Sequence, residues 1–194
     1  MTPAFVLRIG WLAWIVTWYA AAVWSGRTVA RPGLAREVGY RLLITAGAFL
    51  LFWLFSRHPS SPNTLWRVGP ATAWTLAGVG LLALASTWWA RIHLGQLWSG
   101  HITRKEHHHV VDTGPYAIVR HPIYTGVILA ALATAALTGT ITALLGFALM
   151  AAGFYLKARI EEQFLREQLG AEAYSAYARR VPMLVPFAPA SYGV

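Results

Sequence analysis

Five apolar runs alternate with shorter polar stretches along the 194-residue chain. The first covers about Ile9 to Trp24, the second about Gly39 to Phe55 and the third about Ala71 to Ala90. The fourth begins at Pro122 and ends near Leu137; the fifth runs from about Ile141 to Leu156 and continues as a polar helix. Helix is the predicted state of each, because a segment in hydrocarbon must satisfy its backbone polar groups internally. Several runs lie at the short end of the roughly 17–25 residues that a spanning helix needs. Tilt, snorkelling ends or a helix that stops short of one face would accommodate that. The uncharged link Thr138-Gly139-Thr140 predicts an antiparallel hairpin of the last two runs. Gly146 and Gly153 share one helical face, where a neighbour can approach closely.

Composition strengthens the membrane reading. Hydrophobic residues make up 57% of the chain, charged residues 12%, and the mean hydropathy is +0.48. A soluble domain carries about a quarter charged residues, so much of the solvent around this chain must be lipid. The expected fold is all-α: an integral membrane helical bundle of about five transmembrane helices, forming a single membrane domain over 1–194. Many of the ten Trp and eight Tyr sit near the ends of apolar runs, as in interfacial aromatic belts. The first run, with Arg8 upstream, could mimic a signal peptide. Its Ala20-Ala21-Ala22 is followed directly by Val23 and Trp24, and it is read as an anchor. The absence of cysteine removes disulfides, thiolate nucleophiles and cysteine metal sites.

A net charge of +9 raises the question of nucleic acid. The basic residues, however, lie in short loops beside apolar helices, so no nucleic-acid partner is expected. Thirteen of them, between Arg27 and Arg41, between Arg91 and Arg120, and from Lys157 to Arg180, fall on one side of a five-span model. Only Arg8, Arg57 and Arg67 fall on the other. The positive-inside rule then puts the third loop and the C-terminal tail in the cytoplasm and the amino terminus outside. Ser56 to Pro70 reads as an external loop. Polar chemistry concentrates from Arg91 to Tyr124 and from Lys157 to Tyr177, two stretches that this topology brings together.

In the first stretch, Pro122 suits the first position of a helix and pushes His121 out of helical geometry. The fourth helix is expected to open with free N–H groups, and Arg120 and His121 beside them make an anion site for a carboxylate or phosphate. Contact with lipid headgroups explains the same two residues equally well. In the second stretch, Glu161 and Glu162 are flanked by Lys157, Arg159 and Arg166 at ion-pairing spacing. One glutamate is expected to be spent on such pairs, leaving the other for ligand hydroxyls, amines or a cation. His101, His107, His108 and His109, with His93 and His121 nearby, offer metal-binding atoms. Three consecutive histidines cannot converge on one ion, and no metal is expected.

The run from His108 through Val110, Gly114, Pro115 and Tyr116, followed by Arg120-His121-Pro122-Ile123-Tyr124, resembles the cofactor motif of the isoprenylcysteine carboxyl methyltransferase family. The tail does so too, with Glu161-Glu162, Leu165, Gly170, Tyr174, Tyr177, Val181-Pro182 and Pro186. Upstream, Leu94-Gly95 and Trp98 fit the same pattern, so the likeness covers roughly 91–187. The resemblance implies a methyltransferase core over 71–194, with 1–70 as accessory transmembrane helices. It implies S-adenosylmethionine as cofactor, held by His108, Val110, Gly114, Tyr116, Arg120, His121, Tyr124, Glu161 and Glu162, with Arg120 and Glu162 as catalytic residues. The implied acceptor is lipophilic: an isoprenylcysteine-like carboxylate, a lipid amine or a thiol. Such a protein would be multi-pass, with its site facing the cytoplasm, and in a bacterium would lie in the inner membrane. A nicotinamide-dependent reductase of the sterol reductase type and a non-enzymatic transporter or assembly factor are the competing readings. Oligomeric state is left open.

Overall fold

A computed structural model describes residues 1–24, 28–30, 33–55, 63–100, 102, 104–105, 110–169 and 171–190. Among the described residues six α-helices follow in order: α1 (Pro3–Ala20), α2 (Leu34–Phe55), α3 (Pro70–Leu94), α4 (Pro122–Thr138), α5 (Ile141–Leu169) and α6 (Ala171–Arg180). With adjoining turns, the first, third and fifth are long and apolar enough to cross a membrane, and α4 is a shorter apolar helix. The chain is a multi-pass membrane protein of the all-α class. Its described strands are β1 (Thr28–Ala30) and β2 (Arg104–Lys105), which pair antiparallel. That small ribbon ties the first loop to the third and leaves the fold class unchanged.

Local chemistry sets the helix ends. Pro3, Pro70 and Pro122 each open a helix, where the missing N–H would have had no partner anyway. Thr2 caps α1 by accepting from the Phe5 N–H at 3.2 Å. Gly139, at φ 67°, closes α4 in the left-handed region and turns the chain into α5 as an antiparallel hairpin. A side chain there would collide with the Trp66 backbone. The segment before α3 clasps this hairpin: Leu65 N–H donates to Gly139 O at 2.8 Å, and the Trp66 indole to Ala136 O at 2.9 Å.

Helix α4 sits between α3 and α5, with α1 against α3 and α2 against α5. Small residues make this possible. A Cβ on Gly126 would lie 2.7 Å from Ala83 O on α3. One on Gly146 would lie 2.6 Å from the Leu51 N of α2, so that pair meets backbone to backbone. Ala130, Ala131 and Ala135 of α4 are fully buried and form the centre of the core with Leu7, Leu51 and Leu84. Two indoles are stitched into it. Trp11 donates to the Thr134 hydroxyl at 3.0 Å and Trp14 to the Thr87 hydroxyl at 2.7 Å. Each threonine passes its own proton to a carbonyl one turn back, so both indole N–H groups and both hydroxyls are paired. Leu12, Val16, Leu82 and Leu145 point outward, as side chains facing lipid do.

Several boundaries differ from the hydropathy pattern: α1 begins at Pro3, not near Ile9, and ends at Ala20, and α2 begins at Leu34, not near Gly39. Helix α3 runs four residues beyond Ala90 to Leu94, which puts Arg91 and His93 in its last turn. Helix α6 is a separate amphipathic element, because Tyr174, Tyr177, Ala178 and Val181 form one buried cluster at helical spacing.

Candidate active site

The end of the chain folds back over the start of α4. The N–H groups of Arg120 and His121 donate to Pro182 O at 2.8 Å and Met183 O at 3.1 Å. The Thr125 hydroxyl donates to Leu184 O at 2.7 Å. The helix opening is therefore partly closed by the protein's own carbonyls, whereas the spacing alone leaves those N–H groups free. The next two, of Ile123 and Tyr124, have no acceptor among the described residues.

Arg120 is committed in the same way. Its Nε donates to Glu162 Oε1 at 2.6 Å and its Nη2 to Glu162 Oε2 at 3.1 Å, the two-pronged pairing that guanidinium and carboxylate favour. Its Nη1 donates to Ala178 O at 2.9 Å and Val181 O at 2.5 Å. Four of its five N–H donors are thus used. Glu162 also approaches His121 Nε2 at 3.2 Å and Arg166 at 3.7 Å. Both Arg120 and Glu162 are buried, so this pair locks α4, α5, α6 and the tail together.

Glu161 is placed differently. It lines the cleft, its side chain is 27% exposed, and one oxygen accepts from the Tyr124 hydroxyl at 2.5 Å. Its other oxygen carries no bond among the described residues. His121 stacks flat on Tyr124 with ring centres 5.2 Å apart, and its Nδ1 lies 4.0 Å from Glu161. Adjacent residues on a helix point about 100° apart. One glutamate therefore braces the frame while its neighbour faces the open space.

The cleft has a polar end and an apolar end. Tyr116, Tyr174 and Tyr177 wall the polar side with His121 and Glu161, and Val110 contributes to the rim. Burial pushes the phenols of all three tyrosines well above the ordinary range, with nearby glutamates adding to it. They stay neutral at any physiological pH. The Tyr177 hydroxyl donates to Tyr116 O at 2.7 Å, fixing α6 to the 3-10 turn Gly114–Ala117. Gly114 itself stands at φ 57°, and a Cβ there would press 2.7 Å from the His93 ring. His93 also bonds the Thr113 hydroxyl at 2.9 Å. Leu94, the last residue of α3, with Leu97 and Trp98 just past it, forms the apolar end.

Most of the residues singled out in the sequence converge here. Val110, Tyr116, Arg120, His121, Tyr124 and Glu161 line the cleft, Glu162 sits behind it, and Gly114 shapes the turn that carries Tyr116. His108 lies outside the described residues. Tyr174 and Tyr177, part of the resemblance in the tail but outside the site it implies, also line the cleft; their spacing on α6 is the signal that points to them. Among the described residues no group of three His, Asp or Glu is arranged to hold a metal.

Residues 74–167 match the model of the isoprenylcysteine carboxyl methyltransferase (ICMT) family. The chain is 38% identical over 88 residues to protein-S-isoprenylcysteine O-methyltransferase B of Arabidopsis thaliana, covering 44% of each protein. It is 36% identical over 165 residues to methanethiol S-methyltransferase 2 of Bradyrhizobium diazoefficiens, covering 80% of this chain and 61% of that one. To the protein-S-isoprenylcysteine O-methyltransferase of Schizosaccharomyces pombe it is 36% identical over 104 residues, 52% of this chain and 43% of the other. The chain spans about half the length of the curated relatives it matches.

Proposed function

Through residues 74–167 the chain belongs to the isoprenylcysteine carboxyl methyltransferase family, and from that premise we propose that it is a methyltransferase using S-adenosylmethionine. The observation that carries the reading is the cleft itself, where groups suited to each part of that cofactor meet at one end of a membrane bundle. The unbonded oxygen of Glu161 suits an amine or ribose hydroxyl. The N–H groups of Ile123 and Tyr124, with His121 and the remaining Arg120 donor, suit a carboxylate. The neutral faces of Tyr116, Tyr174 and Tyr177 suit an adenine and a sulfonium, since aromatic faces attract cations. The cofactor supplies a methyl carbon activated by a good leaving group.

The protein's own task is then positioning and exclusion of water. We assign Arg120 and Glu162, expected from the resemblance to be catalytic, the work of holding His121, Tyr124 and the three tyrosines in place. Glu161 is the carboxylate that meets the ligand. The helices within 1–70 are read as shaping the acceptor side and 71–194 as the core. By the positive-inside rule we read the cleft as facing the cytoplasm, which in a bacterium would be at the inner membrane.

For the acceptor we favour a thiol over a carboxylate or an amine. The match to the bacterial methanethiol enzyme covers 80% of this chain and so must extend into the helices before residue 74. The matches to the two isoprenylcysteine enzymes cover 44% and 52%. The test is purified protein with methyl-labelled S-adenosylmethionine and three separate acceptors: methanethiol, a farnesylcysteine analogue and a total lipid extract. A labelled thioether is expected. Label in the farnesylcysteine ester or a lipid alone would overturn the thiol assignment. Failure to bind S-adenosylhomocysteine at all would overturn the methyltransferase reading.

A further inference from the structure

A second buried arginine stands one helix away from the site just described. Arg91, in the last turn of α3, is 4% exposed. Its Nη2 donates to Ala21 O, at the end of α1, at 2.6 Å. Its guanidinium carbon lies 3.3 Å from the ring centre of Trp98, 4.6 Å from that of Trp18 and 5.7 Å from that of Trp88. Trp18 in turn meets Trp88 and Trp98 edge-on, each at 5.5 Å. The three indoles form a cage around one cation.

Among the described residues the cage lacks an anion. Among the described residues no carboxylate pairs with Arg91, and its buried Nη1 has no hydrogen-bond partner. Indole faces attract a guanidinium, but they accept no in-plane N–H bonds and cancel no charge. A buried charge without its counter-ion is costly, and an unmet buried donor adds to the cost. Such an arrangement persists where something else completes it.

Two of the cage walls, Trp18 and Trp88, are only half-buried, so the cage reaches the surface of the protein. The third wall, Trp98, also lines the apolar end of the cleft beside Leu94 and Leu97. The site therefore presents a cation and an adjoining apolar surface. We propose that the Arg91–tryptophan cage binds the oxyanion of an amphiphile, a carboxylate or phosphate whose tail lies along Trp98 and the neighbouring leucines. The site goes beyond the methyl-transfer reading and does not depend on it.

The test uses the whole protein in phosphatidylcholine nanodiscs, with 11-bromoundecanoate and the neutral 11-bromoundecanol as matched probes. Bromine quenches nearby indole fluorescence, and the three caging tryptophans report its arrival. In the wild type, quenching by the carboxylate is expected to saturate at a concentration about tenfold lower than quenching by the alcohol. That is roughly the contribution of one charge-assisted hydrogen bond. Arg91→Met should erase the difference and Arg91→Lys should keep part of it, while thermal melting establishes that each variant is folded. Partition into the bilayer is common to all variants, so the change between them reads the protein. Equal quenching by the two probes in the wild type, or a carboxylate preference that survives Arg91→Met, would overturn the proposal. Repeating the titration in phosphatidylglycerol discs identifies the source of the oxyanion. A preference abolished there upholds the site as one for a lipid headgroup phosphate, and a preference retained upholds it as one for a free carboxylate amphiphile.

Discussion

Arg120 and Arg91 are both about 4% exposed, yet they are buried in opposite ways. Arg120 meets a carboxylate on two prongs and two backbone carbonyls, all at hydrogen-bond distance. Arg91 meets three indole faces and a single carbonyl. The first guanidinium has four of its five donors satisfied by the protein itself, which is why we assign it to the frame. The second is incomplete and is open to a partner. Burial alone says nothing about which residue meets a ligand; the count of satisfied donors does.

Substitutions can break that contrast. The largest effect is expected from Arg120→Ala, which strands Glu162 in the interior and unties α4 from α6. A loss of about 3–5 kcal/mol is the usual result of breaking a buried pair, readable as a lowered melting temperature together with lost S-adenosylhomocysteine binding. Glu162→Gln keeps the shape but removes the charge facing Arg120, and should cost about 1.5–3 kcal/mol. Its neighbour supplies the control. Glu161→Gln should leave melting within about 0.5 kcal/mol of wild type and weaken S-adenosylhomocysteine about tenfold, near 1.4 kcal/mol, by calorimetry. If Glu162→Gln alone weakened the ligand and Glu161→Gln did nothing, the division of labour between the two glutamates would be reversed.

The smaller effects sharpen the comparison. Tyr177→Phe removes one hydroxyl bond to the Tyr116 carbonyl and should cost about 1 kcal/mol in melting. Arg91→Met should cost no more than that, because removing a buried charge that lacks a counter-ion offsets the bond lost to Ala21. A drop as large as that of Arg120→Ala would mean that the cage is part of the frame after all.

Much of this could be read from the chain. The helices follow from unbroken apolar runs, and Pro122 and Gly139 mark the two ends of α4 because each suits only its own kind of terminus. The polar cluster follows from positive-inside topology, which brings Tyr116 and Glu161 to one face before any contact is known. Other features were out of reach. Nothing in the spacing says that the carbonyls of Ala178 and Val181 arrive at Arg120, so the internal bonds that underlie our assignment of this arginine to the frame were not legible. Two adjacent glutamates cannot be told apart until the rotation of α5 is set by its packing on α2 through Gly146 and Gly153. Arg91 reads as one more basic residue at a helix end, because its cage is assembled from α1, α3 and the segment beyond it.

The return of the chain to the start of α4 also dictates an order of assembly. Arg120 and one of its acceptors, Val181, are 61 positions apart. At about 5–20 residues per second of synthesis, that separation corresponds to a delay of about 3–12 s. During that interval the membrane helices can insert and pair while the guanidinium waits for the last two of its partners. The cleft is consequently the final part to mature. A chain cut short before Val181 could keep its bundle and still have no completed site.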